Sequence, residues 1–133
     1  MDMNVTEDFY SRLFGFQRAR VLGDGADQII FLKTESGDVY LELFQADTMS
    51  QVVMPTTGVG PSSPGFRHLA FAVDNVDSKL EEMGTEAHIT EGPLDYDTVI
   101  PGWRTVWISD PDGRIIELSQ GYADQENPPV FNR

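Results

Sequence analysis

Apolar positions along the first fourteen residues recur at helical spacing. In residues 4–14, "NVTEDFYSRLF", Val5, Phe9 and Leu13 fall on one side of a 3.6-residue turn, and Gly15 follows as a stop. Three shorter apolar runs come next, "FQRARVL", "DQIIFLKT" and "DVYLELFQ", separated by the turn-forming stretches "DGAD" (24–27) and "ESGD" (35–38). They read as strands joined by hairpins. The second half reads as strand "FRHLAFAV" (66–73), helix "VDSKLEEM" (76–83) closed by Gly84, and strands near 86–91, 103–109 and 114–120. "DPDG" (110–113) supplies the last hairpin turn.

The two halves resemble each other. "LELFQ" (41–45) and "IELSQ" (116–120) share the pattern apolar-Glu-Leu-x-Gln, and each ends its half after a Gly-containing turn. The second half is therefore βαβββ and the first αβββ, an α+β arrangement in which the first strand of module one is missing. Residues 1–45 form the truncated first module and 66–121 the second. Residues 46–65, rich in Pro, Gly, Ser and Thr, are a connector long enough to act as a lid or subunit-crossing arm, and 122–133 a tail. "EGPLDYDTVIPGW" (91–103) reads as a loop carrying ligand contacts.

Glu117 stands among Ile115, Ile116 and Leu118, where an unpaired carboxylate is costly. It needs a cation, a proton or solvent. Strand alternation puts Tyr40, Glu42 and Phe44 on one face, Ile115, Glu117 and Ser119 on one face, and Phe66, His68, Ala70 and Ala72 on one face. A lone strand His is more often an ordinary core or surface residue than a ligand, and a Glu in an alternating strand is usually the solvent face of a sheet. The duplicated Glu tips the balance toward a shared site. One His and two carboxylates suit a divalent ion that accepts N and O donors, such as Zn, Ni, Mn, Co or Fe.

Composition narrows the functions. The 133 residues carry a net charge of −13, which argues against nucleic acid as a partner. Zero cysteines exclude disulfides, Cys-ligated zinc and thiol nucleophiles, and two histidines exclude a His-rich metal site. No apolar run approaches the ~20 residues of a membrane span, and no secretory signal is visible. A cytoplasmic setting is expected.

The stretches "FYSRLFGF" (9–16), "LELFQ" (41–45), "RHLAFAVDNVD" (67–77) and "SDPDGRIIELSQ" (109–120) resemble the vicinal oxygen chelate superfamily of glyoxalase I, bleomycin and fosfomycin resistance proteins and extradiol dioxygenases. The resemblance implies two βαβββ modules forming a cupped mixed sheet around a central site, commonly in a homodimer. Carried over by position, it implies Glu42, His68 and Glu117 as ligands of a divalent metal. A fourth ligand, usually a His on the first strand, would precede Met1, and His88 could replace it only if its strand bent inward. By resemblance to glyoxalase I, Glu117 is the base of a metal-dependent lyase or isomerase. Its small-molecule substrate would carry adjacent oxygens and react through an enediolate. The alternatives are a metal-free drug-binding protein, with Trp103, Trp107, Tyr96 and Phe44 lining an acidic groove, and an extradiol-type dioxygenase. Arg12, Arg18 or Arg104 could meet a ligand's carboxylate.

Overall fold

The structure is a computed structural model of the chain and describes residues 2–46 and 68–129. Helix α1 spans Met3–Phe14. The side chain of Asp2 accepts from the Asn4 N–H and caps its start, while Gly15, left-handed at φ 70°, turns its own N–H back to the Ser11 carbonyl. The buried stripe of α1 is Met3, Thr6, Phe9, Tyr10 and Leu13. Val5, expected on that face, is instead exposed. The helix is rotated toward its hydroxyl residues: Thr6 Oγ1 donates to Asp112 Oδ2 and Tyr10 Oη to Asp110 Oδ2, both at 2.8 Å.

Those two bonds join the first half to the last hairpin turn of the second. Asp110 is buried, and its other oxygen accepts from the Asp112 and Arg114 N–H groups at 2.9 and 2.7 Å. Burial pushes the Asp110 carboxyl above its ordinary range, although the bonds from Tyr10 and the two backbone groups pull the other way. Burial and the neighbouring Asp110 also push the Tyr10 phenol upward.

Strands β1 (Gln17–Leu22), β2 (Ile29–Lys33) and β3 (Tyr40–Phe44) form an antiparallel three-stranded sheet in sequential order. Strand β4 (Leu69–Ala72), helix α2 (Val76–Met83) and strands β5 (His88–Asp95), β6 (Arg104–Ser109) and β7 (Ile115–Gln120) complete the described elements. The second sheet has the order β4-β7-β6-β5, with β4 parallel to β7 and the other pairs antiparallel. The helix expected over 76–83 is found with those bounds, capped by Asn75, whose side chain accepts from Ser78 N–H. Strand β5 runs on to Asp95, so residues 91–95 are strand and the loop begins only at Tyr96. Most of the 46–65 connector, and Phe66 and Arg67 of the expected fourth strand, lie outside the described residues.

One sheet has three strands and the other four. The αβββ and βαβββ halves are thus both present, with no strand ahead of α1 among the described residues. A single core joins them. Phe9, Tyr10, Leu13 and Phe16 meet Ile30 and Leu32 of β2, Val76 and Met83 of α2, and Val106, Ile108, Ile116 and Leu118 of β6 and β7. No helix among the described residues is long and apolar enough to cross a membrane.

Tyr10→Phe should lower unfolding stability by about 1–3 kcal/mol, since it strips a donor from a buried carboxylate. The deficit, read from denaturant titrations, should shrink as pH falls through the range above 3.8. Removing the donor raises the folded Asp110 pKa further, so the variant loses stability as pH rises and regains it once Asp110 is protonated.

Candidate functional site

The second sheet presents two faces of different character. Val106, Ile108, Ile116 and Leu118 point into the core. Alternation therefore sends Thr105 and Trp107 of β6, and Ile115, Glu117 and Ser119 of β7, to the opposite face. Trp107 and Ile115 are buried, yet neither belongs to the core cluster. Register fixes their neighbours, since directly opposed residues share a face. Glu117 lies opposite Ala70 of β4 on one side and Trp107 of β6 on the other.

His68 precedes β4 by one residue, and its Nε2 lies 2.9 Å from Glu117 Oε2. The side chains are only 21% and 12% exposed. Thr105 Oγ1 donates to the second carboxylate oxygen, Oε1, at 2.6 Å; it also lies 3.0 Å from the Leu118 carbonyl. A hydroxyl has one proton, and the shorter contact goes to the carboxylate. With Glu117 ionised, His68 Nε2 is the donor, which leaves Nδ1 buried without a partner among the described residues. The indole of Trp107 meets the imidazole edge-on, with centroids 6.4 Å apart at 83°. Ala70 and Ala72, which alternate with His68 along the same face, are exposed. The carboxylate in the apolar strand is thus held by an imidazole and a hydroxyl.

Glu42 stands elsewhere. It lies on β3 of the other sheet, opposite Phe31, with Tyr40 and Phe44 on its own exposed face. Among the described residues no three His, Asp or Glu side chains form a group able to hold a metal ion. His68 and Glu117 come together within one chain, and Glu42 does not join them. The donor types, an imidazole nitrogen and a carboxylate, suit an N- and O-binding divalent ion. Their number within one chain falls short of a closed set. His88 is exposed at the start of β5.

Sequence reasoning missed Thr105 and Glu91. Thr105 reaches Glu117 only through the β6–β7 register, which has no marker in the local sequence. Glu91 was expected at a strand end or in a loop, but lies within β5 directly opposite Trp107. An aromatic cluster borders the same face. Trp103 Nε1 donates to Ser119 Oγ at 2.9 Å, and its ring packs on Tyr96 at 4.8 Å and Tyr122 at 5.8 Å. Of the arginines considered for ligand carboxylates, Arg12 is bound to Asp8 and Glu86, Arg18 to Glu7, and Arg104 to Asp77 and Asp95.

A family model, the glyoxalase/bleomycin resistance protein/dioxygenase superfamily, matches residues 1–118. The chain belongs to this superfamily. Among solved structures, it is similar to TnmS3, an antibiotic-binding protein from Streptomyces sp. CB03234, at 23% identity and a TM-score of 0.57, covering 92% of this chain and 88% of that one. It is similar to the fosfomycin resistance protein FosX from Listeria monocytogenes at 18% identity and a TM-score of 0.62, over 92% and 86% of the two chains. The trypanothione-dependent glyoxalase I of Leishmania major matches at 21% identity and a TM-score of 0.59, over 90% and 79%. These likenesses establish a shared glyoxalase-type fold among proteins of different activities. No curated protein matches the chain.

A double-mutant cycle on His68→Ala and Glu117→Ala should give a coupling of about 0.5–3 kcal/mol, as expected for residues in one hydrogen-bonded network. Glu42→Ala and Glu117→Ala, combined in protein dilute enough to be monomeric, should add to within about 0.5 kcal/mol. Chemical denaturation reads both, and strong coupling of Glu42 to Glu117 in the monomer would contradict the geometry.

Proposed function

We propose that the face carrying His68, Thr105 and Glu117 is a proton-transfer site for a small molecule with adjacent oxygens, serving glyoxalase-like lyase or isomerase chemistry. The observation that carries this reading is the half-buried Glu117 carboxylate, oriented on one oxygen by His68 and on the other by Thr105. A carboxylate fixed at both oxygens and shielded from water can take a proton from a carbon next to a carbonyl, and return it to the neighbouring carbon. The strand rigidly sets its position. His68 and Thr105 hold the orientation through the transfer.

A divalent metal would be held by His68 and Glu117, with Glu42 as the third donor from a second copy of the chain. Such an ion supplies Lewis-acid stabilisation of charge developing on the substrate oxygens. Support for the second copy comes from the surroundings of Glu42. Tyr40 and Phe44 are 53% and 59% exposed on its face of β3, an edge strand among the described residues, and nearby Val39 is 50% exposed. An apolar patch and an open sheet edge together favour a homodimer that covers them.

A second reading, sequestration of a small molecule without chemistry, draws on the Tyr96, Trp103 and Tyr122 cluster beside Ser119. Extradiol dioxygenase chemistry is less well supported, because only one His enters the site.

Elemental analysis of protein purified without chelator separates the readings. Wild type should hold close to one transition metal per His68–Glu117 pair, and both Glu117→Ala and Glu42→Ala should lose it. Wild type that stays metal-free after soaking with Zn, Mn and Ni would leave sequestration as the reading to pursue.

A further inference from the structure

An open cleft of about 590 Å3 lies between the end of α1, the end of β4 and the start of α2. That volume falls in the range of small-molecule sites. None of His68, Thr105 and Glu117 lines it, and neither does the Tyr96, Trp103 and Tyr122 cluster. Leu13, Phe14, Phe71 and Val73 form its apolar wall, in which the rings of Phe14 and Phe71 stack with centroids 4.6 Å apart at 25°. Phe14, Phe71 and Val73 pack against the core and stay partly exposed. The polar rim sets the charge of what can enter. Its lysine is engaged: Lys79 Nζ donates to the Leu13 carbonyl at 2.5 Å, pairs with Glu82 at 3.0 Å and lies 5.3 Å from the centre of the Phe14 ring. The start of α2 is capped as well. The Val76 N–H donates to Gln120 Oε1, the Ser78 N–H to Asn75 Oδ1 and the Lys79 N–H to the Asn75 carbonyl. Asp74, exposed on the same rim, has no hydrogen-bond or ion-pair partner among the described residues.

We propose that this cleft binds an organic cation with an apolar body, the body lying against Phe14, Phe71 and Val73 and the cationic head at Asp74. The charge on the rim selects the class. An anion finds Lys79 and the capped amides of α2 already taken, and meets repulsion from Asp74 and Glu82. A neutral ligand fits the wall but leaves the Asp74 carboxylate unused. A cation gains both contacts, and the net charge of −13 steers it toward the protein. The cleft is separate from the Glu117 face, so the proposal does not depend on how that face is read.

The test titrates phenethylammonium chloride into 15N-labelled protein at fixed ionic strength. The backbone signals of Asp74, Asn75 and Ser78 should move in a saturable manner, while 3-phenylpropanoate, an anion of similar size, should leave them in place. Asp74→Asn should weaken binding by about fivefold at low salt, the worth of one exposed ion pair. That difference should shrink as sodium chloride is added. Ser78→Tyr, at an exposed position on the rim, puts a ring into the cleft; it should abolish binding and leave the melting temperature in place. Glu117→Ala should bind as wild type does. Unmoved signals at the highest soluble phenethylammonium, equal binding of 3-phenylpropanoate, or undiminished binding by Ser78→Tyr would each overturn the cleft as a cation site. So would movement of the indole signals of Trp103 and Trp107 in place of those at the cleft, since it would put the ligand on the other face. Metal content plays no part in these readouts, so failure here and failure of the metal reading are separate results.

Discussion

The parallel pairing of β4 with β7 is the constraint on which the site depends. A parallel neighbour cannot be reached by a tight turn, so the chain runs through α2, β5 and β6 before β7 lies down beside β4. That detour closes a contact between residues 49 positions apart, His68 and Glu117. It also sets the register in which Ala70 and Trp107 flank the carboxylate. A one-residue slip of β7 would turn Glu117 into the core and Ile116 and Leu118 out of it. The apolar burial of Ile116 and Leu118, both fully buried, therefore holds the Glu117 face in register from behind.

The same logic explains why two similar sequence patterns end in different surroundings. "LELFQ" and "IELSQ" both place Glu between apolar residues on the third strand of a hairpin series. Glu117 is enclosed because β7 is an interior strand, flanked by β4 and β6. Glu42 is exposed, and among the described residues β3 has β2 on one side only. The pattern encodes a side-chain direction, while enclosure comes from neighbouring strands. Environment at Glu42 is thus a property of what lies against β3, and the exposed Tyr40 and Phe44 mark that side as the one requiring cover.

Much of this was legible in the chain. The α2 bounds, the succession of helices and strands along the chain, the doubled module and the shared face of Ile115, Glu117 and Ser119 follow from periodicity and turn residues alone. The pairing of His68 with Glu117 could be anticipated from the repeat and the family resemblance. What escaped was whatever depends on cross-strand register. Val5 has the right spacing for the buried stripe of α1, but Thr6 and Tyr10 have carboxylate partners in the 110–113 turn, and those bonds decide the rotation of the helix. Thr105 reads as one more strand residue until the hairpin sets it against Glu117. Pro93 argues for a loop after residue 91, yet β5 continues through it, because an edge strand can spare a backbone donor.

Charge supplies a last argument about what can enter. The site face carries Glu117 and Glu91, and among the described residues three arginines are paired with other carboxylates: Arg104 lies with Asp77 and Asp95, Arg12 with Asp8 and Glu86, and Arg18 with Glu7. A strongly anionic ligand would meet these carboxylates in a partly desolvated setting, where Coulomb repulsion is weakly screened. A cation bound between His68 and Glu117 would reverse that sign locally and favour ligand oxygens at the same point. The charge of ligand that this face favours would therefore differ with and without a bound divalent ion: the bare pair disfavours anions, and a loaded pair would draw oxygen donors.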